Sequence, residues 1–390
     1  MKLQNKEKTF LAISFLLVIG LIFAFMAPLK LKDVILDVIA FEGEGIEKLR
    51  AIRDSIEVHY DDFLDYSKNP IKNKNAYIEL NGLMANLLGQ KELNRTVKLR
   101  NGWLATPGEL LDSEVLRREA AAFEMIYQTA VAKDITFLYV AAPHKISQYD
   151  PQLPIGVEDY QNDNIDALLS MLSSAEVPYM DLREEFKERG ENQYDLYYRT
   201  DHHWTVECGQ LVATILFDEL GSVGTGKNKP QAYELENYVI EVYPKWHLGS
   251  NGQRTGRFYG GIDNFHLIYP NFATNYENLD TGKSGTFEDM FINMYPLEHK
   301  DIASRMTYDL VYGKSSSGHF VNHSLNVIDM TILVSTDSMG KVVVPFLTLF
   351  FSEVIVCSYD VDQVILALEQ TSPDIVLMLN HPMSRLEGTN

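Results

Sequence analysis

The chain has 390 residues, of which 46% are hydrophobic and 23% are charged. This composition is typical of a globular protein and excludes a largely disordered chain. Acidic side chains outnumber basic ones by 54 to 34, which gives a formal net charge of -20. A surface of this sign repels nucleic acid and anionic membranes, so binding to polyanions is not expected.

The first segment predicts a membrane anchor. Residues 10–29 carry no charge and follow a short stretch that contains three lysines. A helix of about 20 residues spans a bilayer at about 1.5 Å per residue. A cleaved signal peptide is the alternative, but its apolar region is shorter, roughly 7–15 residues, and ends in small residues. We expect residues 1–30 to form an uncleaved signal anchor, with the main domain outside the cytoplasm.

Residues 31–95 have apolar positions at irregular helical spacing, which predicts a helical stalk or an N-terminal helical layer. Beyond them, continuous apolar runs of strand length begin, and several follow a helix-like segment. These runs lie at residues 135–142, 177–182, 330–335, 353–359 and 374–379. Apolar strands that alternate with helices predict a parallel sheet covered on both faces. The fold class predicted for residues 96–390 is therefore α/β.

Residues 221–324 interrupt this alternation. The segment is rich in glycine, asparagine, tyrosine and phenylalanine, and its aromatic content is too high for a solvated linker. It predicts an insertion of short strands and turns within the α/β domain. Long insertions on such sheets commonly carry substrate contacts.

The stretch YYRTDHHWT, residues 197–205, brings together Asp201, His202 and His203. A zinc site needs further convergent ligands, but the other histidines are scattered and no HExxH motif occurs, so no metal is expected. A metal-dependent phosphoesterase built on the DHH triplet would need several more aspartates near strand ends, and the sequence shows no such set. In an extended segment, Asp201 and His203 face the same way and His202 faces the other.

Ser338 lies in the turn TDSMG, directly after the apolar strand MTILVS. A side chain at the carboxyl end of such a strand is exposed, and nearby helix amides can stabilise an oxyanion. Ser338 would attack an ester carbonyl, His203 would take its proton, and Asp201 would fix the imidazole tautomer. Alone, such a serine is more often a turn or cap residue, and such a histidine a packing residue. Their joint occurrence favours a triad.

Several segments resemble the bacterial DHHW proteins, which are related to the alginate O-acetyltransferases of the SGNH-hydrolase-like group. TDHHWT is similar to the defining motif of the DHHW proteins, and STDSMG followed by PFL is similar to the nucleophile turn. Further similar segments are NGWLATP (101–107), APHKISQYDPQLP (142–154) and RTGRFYGGIDNFHLIYPNFATNY (254–276). One departure is Thr336, because the turn usually reads G-D-S and its glycine permits close backbone approach.

This resemblance implies an SGNH-hydrolase-like, flavodoxin-like fold and an extracytoplasmic O-acetyltransferase that modifies a cell-surface polysaccharide. Ser338 would be transiently acetylated, Asp201 and His203 would complete the triad, and no cofactor would be needed. A polytopic membrane acyltransferase would supply the acetyl group, since cytoplasmic acetyl-CoA does not reach a domain outside the cell. The alternatives are a non-catalytic glycan-binding or assembly protein and a polysaccharide acetyl esterase.

Six further residues are candidate contacts. Asn380, at the end of the last predicted strand, is a candidate oxyanion donor beside the Ser338 amide, with a cap or turn role as the alternative. Lys145 and Tyr149 are candidates to line the cleft, although an ion pair and aromatic packing explain them as well. On the insertion, the candidate glycan contacts are Arg257, Tyr259 and Asp263.

Overall fold

The computed structural model describes residues 71–221, 230–301, 307–324 and 327–382. By its internal contacts the chain divides into Met1–Tyr77 and Ile78–Asn390, and all candidate site residues lie in the second unit. The predicted signal anchor lies outside the described residues. No described helix has the length and hydropathy that a membrane span requires. Of the predicted helical segment 31–95, the described part contains the helix Ile71–Leu87.

The main sheet contains eight strands in the order β5-β4-β13-β11-β12-β10-β8-β9, and smaller sheets join β1-β2-β3 and β6-β7. The strands of the described residues are β1 Glu92–Leu93, β2 Thr96–Lys98, β3 Leu104–Ala105, β4 Thr136–Ala141, β5 Tyr179–Asp181, β6 Tyr238–His247, β7 Asp263–Pro270, β8 Tyr276–Asn278, β9 Lys283–Gly285, β10 Gly318–Asn322, β11 Ile328–Thr336, β12 Phe351–Cys357 and β13 Ile375–Asn380.

Five parallel strands, β5, β4, β13, β11 and β12, form the centre and one side of the main sheet. Each coincides with one of the five apolar runs of the sequence. Strands β10, β8 and β9 extend the sheet by antiparallel pairing, so the sheet is mixed rather than wholly parallel. These three strands belong to the predicted insertion, which therefore continues the sheet.

The apolar runs are continuous because both faces of the central strands are buried. In β13, Ile375, Leu377 and Leu379 enter one hydrophobic core. The alternate residues Val376 and Met378 enter a second core on the opposite face. Successive side chains of a strand point to opposite faces, so a covered parallel strand needs apolar residues at every position.

Helices cover both faces of the main sheet. The α-helices of the described residues are α1 Ile71–Leu87, α2 Ser113–Val131, α3 Gln161–Ser174, α4 Leu182–Glu188, α5 Val206–Gly221, α6 Ser250–Thr255, α7 Arg257–Gly260, α8 Phe287–Phe291, α9 Tyr295–Glu298, α10 Thr307–Val311, α11 Val343–Leu347 and α12 Val361–Thr371. Residues of α2, α3 and α12 enter the core on one face, and residues of α5 and α11 enter the core on the other. Because the five central strands run parallel, their carboxyl ends lie together at one edge of the main sheet.

Candidate active site

Ser338 lies at this edge, two residues beyond the end of β11, and begins the short 3-10 helix Ser338–Val342. Asp337 caps that helix, because its Oδ1 accepts the N–H of Met339 at 2.8 Å. Its Oδ2 accepts the N–H of His381, directly after β13, at 3.0 Å. The two oxygens of Asp337 therefore fix the turn of Ser338 to the end of the neighbouring strand.

His203 and Ser338 are brought together although 135 residues separate them: Nε2 of the ring lies 2.8 Å from Oγ of the serine. The ring of Tyr308 stacks on His203 at 4.4 Å between centroids, and its hydroxyl donates to the carbonyls of Ser338 and Met339. The indole N–H of Trp204 donates to the Met339 carbonyl at 2.9 Å. These contacts hold the histidine segment against the serine turn.

The histidine segment is a closed loop rather than the extended segment expected from the sequence. Residues 197–205, here called the DHHW loop, contain turns and bends between the bridged residues Tyr197 and Trp204. Asp201 and His203 nevertheless face the interior, whereas the side chain of His202 is 47% exposed. Nδ1 of His203 lies 3.3 Å from Oδ1 of Asp201, without the alignment of a full hydrogen bond.

Asp201 is a buried carboxylate surrounded by donors. Its Oδ1 accepts the His202 N–H at 2.7 Å, the Ser250 N–H at 3.2 Å and the Ser250 hydroxyl at 2.9 Å. Its Oδ2 lies 3.0 Å from Nε2 of His247. Burial favours the neutral acid, but interactions with the side chains of His203, His202 and His247 outweigh it and lower the pKa of Asp201 well below its usual range.

The sequence did not identify His247 and Ser250 as part of this site. Both come from the insertion, at the end of β6 and the start of α6. Between them, Gly249 packs directly on Asp201, since a Cβ atom there would lie 2.2 Å from the Asp201 Cβ. This glycine is the sequence signal that could have indicated a close approach.

Lys145 is buried beneath the DHHW loop rather than open to a cleft. Four backbone carbonyl oxygens, those of Leu104, Tyr198, Arg199 and Asp201, lie 2.6–2.8 Å from its Nζ and share its three N–H donors. Burial lowers the pKa of Lys145 to about 7, against the opposing effects of Asp263 and Asp201. The lysine therefore ties together the backbone that carries Asp201.

Asp263 supports the same loop from β7. One carboxylate oxygen accepts the Arg199 N–H at 3.2 Å, and the other accepts the Thr200 N–H at 2.8 Å. Asn380 is buried at the end of β13, where its amide nitrogen donates to the His381 carbonyl at 3.0 Å. The sequence predicted both as ligand contacts, and the structure shows them bound to backbone.

Three other predicted contact residues are not among the described contacts of Ser338, His203 or Asp201. The Tyr149 hydroxyl bonds to Glu184, and the Lys187 ammonium lies 4.1 Å from its ring. Arg257 pairs with Glu79 of α1 at 2.7 Å, and the Tyr259 hydroxyl donates to the Gln90 carbonyl at 3.0 Å. In the structure, Arg257 and Tyr259 tie the insertion to α1 and the chain that follows it.

Two more histidines, the buried His144 and the half-buried His381, lie at this edge of the sheet with their ring centroids 5.6 Å apart. Burial lowers the pKa of His144 well below its usual range and that of His381 to about 3. Both rings are therefore uncharged at neutral pH and add no positive charge beside the serine turn.

A metal site must also be considered, because ligand atoms of Asp201, His202 and His203 lie within 4.8 Å of one another. Oδ1 of Asp201, however, already accepts N–H and O–H groups, and their partly positive hydrogens would repel a cation at this oxygen. Nε2 of His203 faces the serine hydroxyl. This donor set fits a proton relay better than a cation.

A family model for the SGNH hydrolase-like domain of the acetyltransferase AlgX matches residues 97–245, which include Asp201 and His203. The chain has an SGNH hydrolase-like α/β fold. The resemblance to this group predicted from the sequence is thereby confirmed. No curated protein matches the chain in sequence.

Solved structures share the fold at low sequence identity. PatB1 of Bacillus cereus, with a sulfonyl adduct, has 16% identity and a TM-score of 0.57, over 77% of this chain and 97% of that one. A DHHW family protein from Eubacterium siraeum has 19% identity and a TM-score of 0.54, over 76% of this chain and 93% of that one. The fold of this chain thus extends over nearly the whole length of both relatives.

Proposed function

We propose that the chain is an O-acetyltransferase that works through an acetyl-Ser338 intermediate. The observation that carries the proposal is the 2.8 Å contact between Nε2 of His203 and Oγ of Ser338. A histidine at this distance can take the hydroxyl proton, and a buried carboxylate behind it can stabilise the imidazolium that forms. The match to the AlgX acetyltransferase domain supports the acetyl group as the one transferred.

In the first half of the reaction, Oγ of Ser338 attacks the carbonyl carbon of an acetyl ester and its proton passes to Nε2 of His203. The tetrahedral intermediate collapses, the bond to the leaving oxygen breaks, and His203 returns the proton to that oxygen. In the second half, His203 takes the proton of an acceptor hydroxyl, which attacks the acetyl carbon. The bond to Oγ then breaks, and the proton of His203 restores the serine.

The Ser338 N–H is the proposed donor to the oxyanion. The next amide, of Met339, is already bound to Asp337. The side-chain amide of Asn380 has two N–H groups, and one of them is bound to the His381 carbonyl. A single backbone donor of this kind stabilises developing charge because it is fixed before the reaction begins.

The proposed acceptor is a hydroxyl of a cell-surface polysaccharide. The proposed donor is a polytopic membrane acyltransferase that passes acetyl groups outward to a domain anchored by residues 10–29. These partners and this location are supported by the charge-free N-terminal segment and by the resemblance to the alginate enzymes.

The test uses the full chain in detergent, 4-nitrophenyl acetate as donor and an oligosaccharide as acceptor. Acetate release and oligosaccharide mass are followed together. We expect a chain carrying one acetyl group, an acetylated sugar, and loss of both in Ser338→Ala by at least about 1000-fold. Ser316→Ala is the control, because Ser316 is exposed and bonds to the Gly313 carbonyl.

Each other outcome contradicts a defined part of the proposal. Acetate release without sugar acetylation, over a panel of oligosaccharides, would identify an esterase in which water takes the place of the acceptor. Retention of a glycan with neither reaction would identify a binding protein. Equal activity of Ser338→Ala and the wild type would exclude Ser338 as the nucleophile.

A further inference from the structure

His247 is buried at the end of β6, with Nε2 3.0 Å from Oδ2 of Asp201. An ionised carboxylate can only accept hydrogen bonds, so Nε2 must carry the proton that is shared. The other ring nitrogen, Nδ1, has no hydrogen-bond partner among the described residues. It lies among aromatic rings, with the ring centroids of Tyr198 and Phe265 at 4.3 and 6.3 Å. A proton on Nδ1 would be a buried, unpaired donor, which also favours the Nε2–H tautomer.

With His247, both oxygens of the Asp201 carboxylate have hydrogen-bond donors. Ser250 and the His202 N–H bind Oδ1, and His247 binds Oδ2. Without a donor at Oδ2, the carboxylate could turn more freely about its Cβ–Cγ bond, and such a turn moves Oδ1 as well as Oδ2. The contact between Oδ1 and Nδ1 of His203 is the one most sensitive to such a turn, because its alignment is already poor at 3.3 Å.

We infer that His247 is a positioning residue for the reaction of Ser338: it holds Oδ2 of Asp201 and so keeps Oδ1 directed at His203. This inference rests on the proposed function for the identity of the reaction, and it assigns to the insertion a role in the chemistry. His247 acts through Asp201 and does not touch the reacting atoms.

The first test measures the reactivity of Ser338 without any acetyl substrate. The full chain in detergent is treated with phenylmethanesulfonyl fluoride, and sulfonylation of Ser338 is followed by intact mass. We expect His247→Leu, which removes the donor, to slow sulfonylation by about 10- to 100-fold. His247→Gln, whose amide nitrogen can replace Nε2, should recover a large part of the rate.

A matched control is His266→Leu. His266 is also in the β6–β7 hairpin and also pairs with a carboxylate, that of Glu207, but has no described contact with Asp201. We expect the sulfonylation rate of His266→Leu to stay within about twofold of the wild-type rate. Equal loss in His247→Leu and His266→Leu would overturn the inference, because it would indicate general damage to the hairpin.

The second test separates positioning from a structural role. If His247 acts through Asp201, then His247→Leu should slow the sulfonylation of Ser338 by less than about twofold in a protein that already carries Asp201→Asn. A loss of the same size in both backgrounds would overturn the inference. Thermal unfolding of each variant shows whether the chain remains folded.

A third measurement distinguishes failure of this inference from failure of the proposed function. If the wild type is not sulfonylated, Ser338 is not an activated nucleophile and the proposed function is wrong. Nitrogen NMR of histidine-labelled protein still reports the tautomer of His247. We expect the proton on Nε2, and a proton on Nδ1 with Nε2 unprotonated would show that His247 does not donate to Asp201.

Discussion

The parallel strands and the insertion supply different parts of the site. Ser338 takes its position from the sheet, because it lies two residues beyond the end of β11 and its turn is bound to the end of β13. Asp201 takes its position from the insertion, through His247, Gly249 and Ser250. Ser338 is therefore placed by the parallel sheet, and Asp201 is placed by a segment outside the βα alternation. Changes to the two regions should have separable effects.

The largest effect is expected at the insertion, for Gly249→Ala. The Gly249 backbone has φ −74°, which suits any residue, so the new methyl group acts through its contact with Asp201 at 2.2 Å. We expect Asp201 to be displaced, the reaction of Ser338 to slow by about 100-fold or more, and unfolding to become easier by about 1–3 kcal/mol. Sulfonylation rate and thermal unfolding measure the two effects.

The control for this change is Gly313→Ala. A Cβ atom at Gly313 would meet nothing within 4 Å, so its stability and rate should match the wild type. An active Gly249→Ala protein would show that the insertion does not determine the position of the acid.

A smaller effect is expected in the serine turn. Thr336, which replaces the usual glycine, is absent from the described residues with positive φ, so the backbone does not require glycine there. Room for its side chain comes from Gly340, where a Cβ atom would lie 2.2 Å from Oγ1 of Thr336. We expect Gly340→Ala to slow sulfonylation of Ser338 by about tenfold and Thr336→Gly to restore the rate in the double variant.

Thr336→Gly alone should leave the rate nearly unchanged and should lower stability by about 1 kcal/mol, because glycine loses more freedom on folding. A rate above that of the wild type would show that Thr336 strains the turn. The two single variants and the double variant thus test whether the glycine of this turn has moved from position 336 to position 340.

The last expected effect is a change in the pH dependence of stability, at Lys145. Burial lowers its pKa from the usual 10.5 to about 7, so between these pH values the unfolded chain binds a proton that the folded chain does not. The stability of the wild type should therefore rise, relative to Lys145→Met, as pH increases from about 7 to 10.5. The slope should reach at most about 1.4 kcal/mol per pH unit.

Urea unfolding of both proteins at several pH values measures this difference. A difference that is constant over the range would show that Lys145 keeps its usual pKa and that its ammonium stays protonated in the folded chain. The comparison concerns stability, so it remains informative whatever reaction Ser338 performs.

The sequence allowed the parallel part of the sheet to be predicted because burial on both faces imposes continuous apolar runs, as in β13. It also indicated Asp201, His203 and Ser338, because a motif and a strand end are local features. Asp201 and His203 face the same side and His202 faces the other, as the sequence predicted, although the backbone of the DHHW loop forms turns and bends rather than a strand.

The remaining contacts depend on residues far apart in the chain. His247 and Ser250 lie 46 and 49 residues from Asp201, and no local periodicity links them to it. Lys145 illustrates another difficulty, because nothing in the sequence distinguishes a buried lysine that contacts four carbonyls from an exposed lysine. Strands β8 and β9 of the insertion were missed as part of the main sheet because a strand of three residues carries little apolar pattern.

The place of β13 in the sheet has a consequence for synthesis. It lies between β4 and β11, yet it is the last strand of the described chain to leave the ribosome. Until β13 is made, β4 and β11 have no partner between them, and the turn of Ser338 lacks its bond to His381. The turn of Ser338 should therefore become ordered only after translation has passed residue 381, so a partly synthesised chain would carry the DHHW loop without the ordered serine turn that faces it.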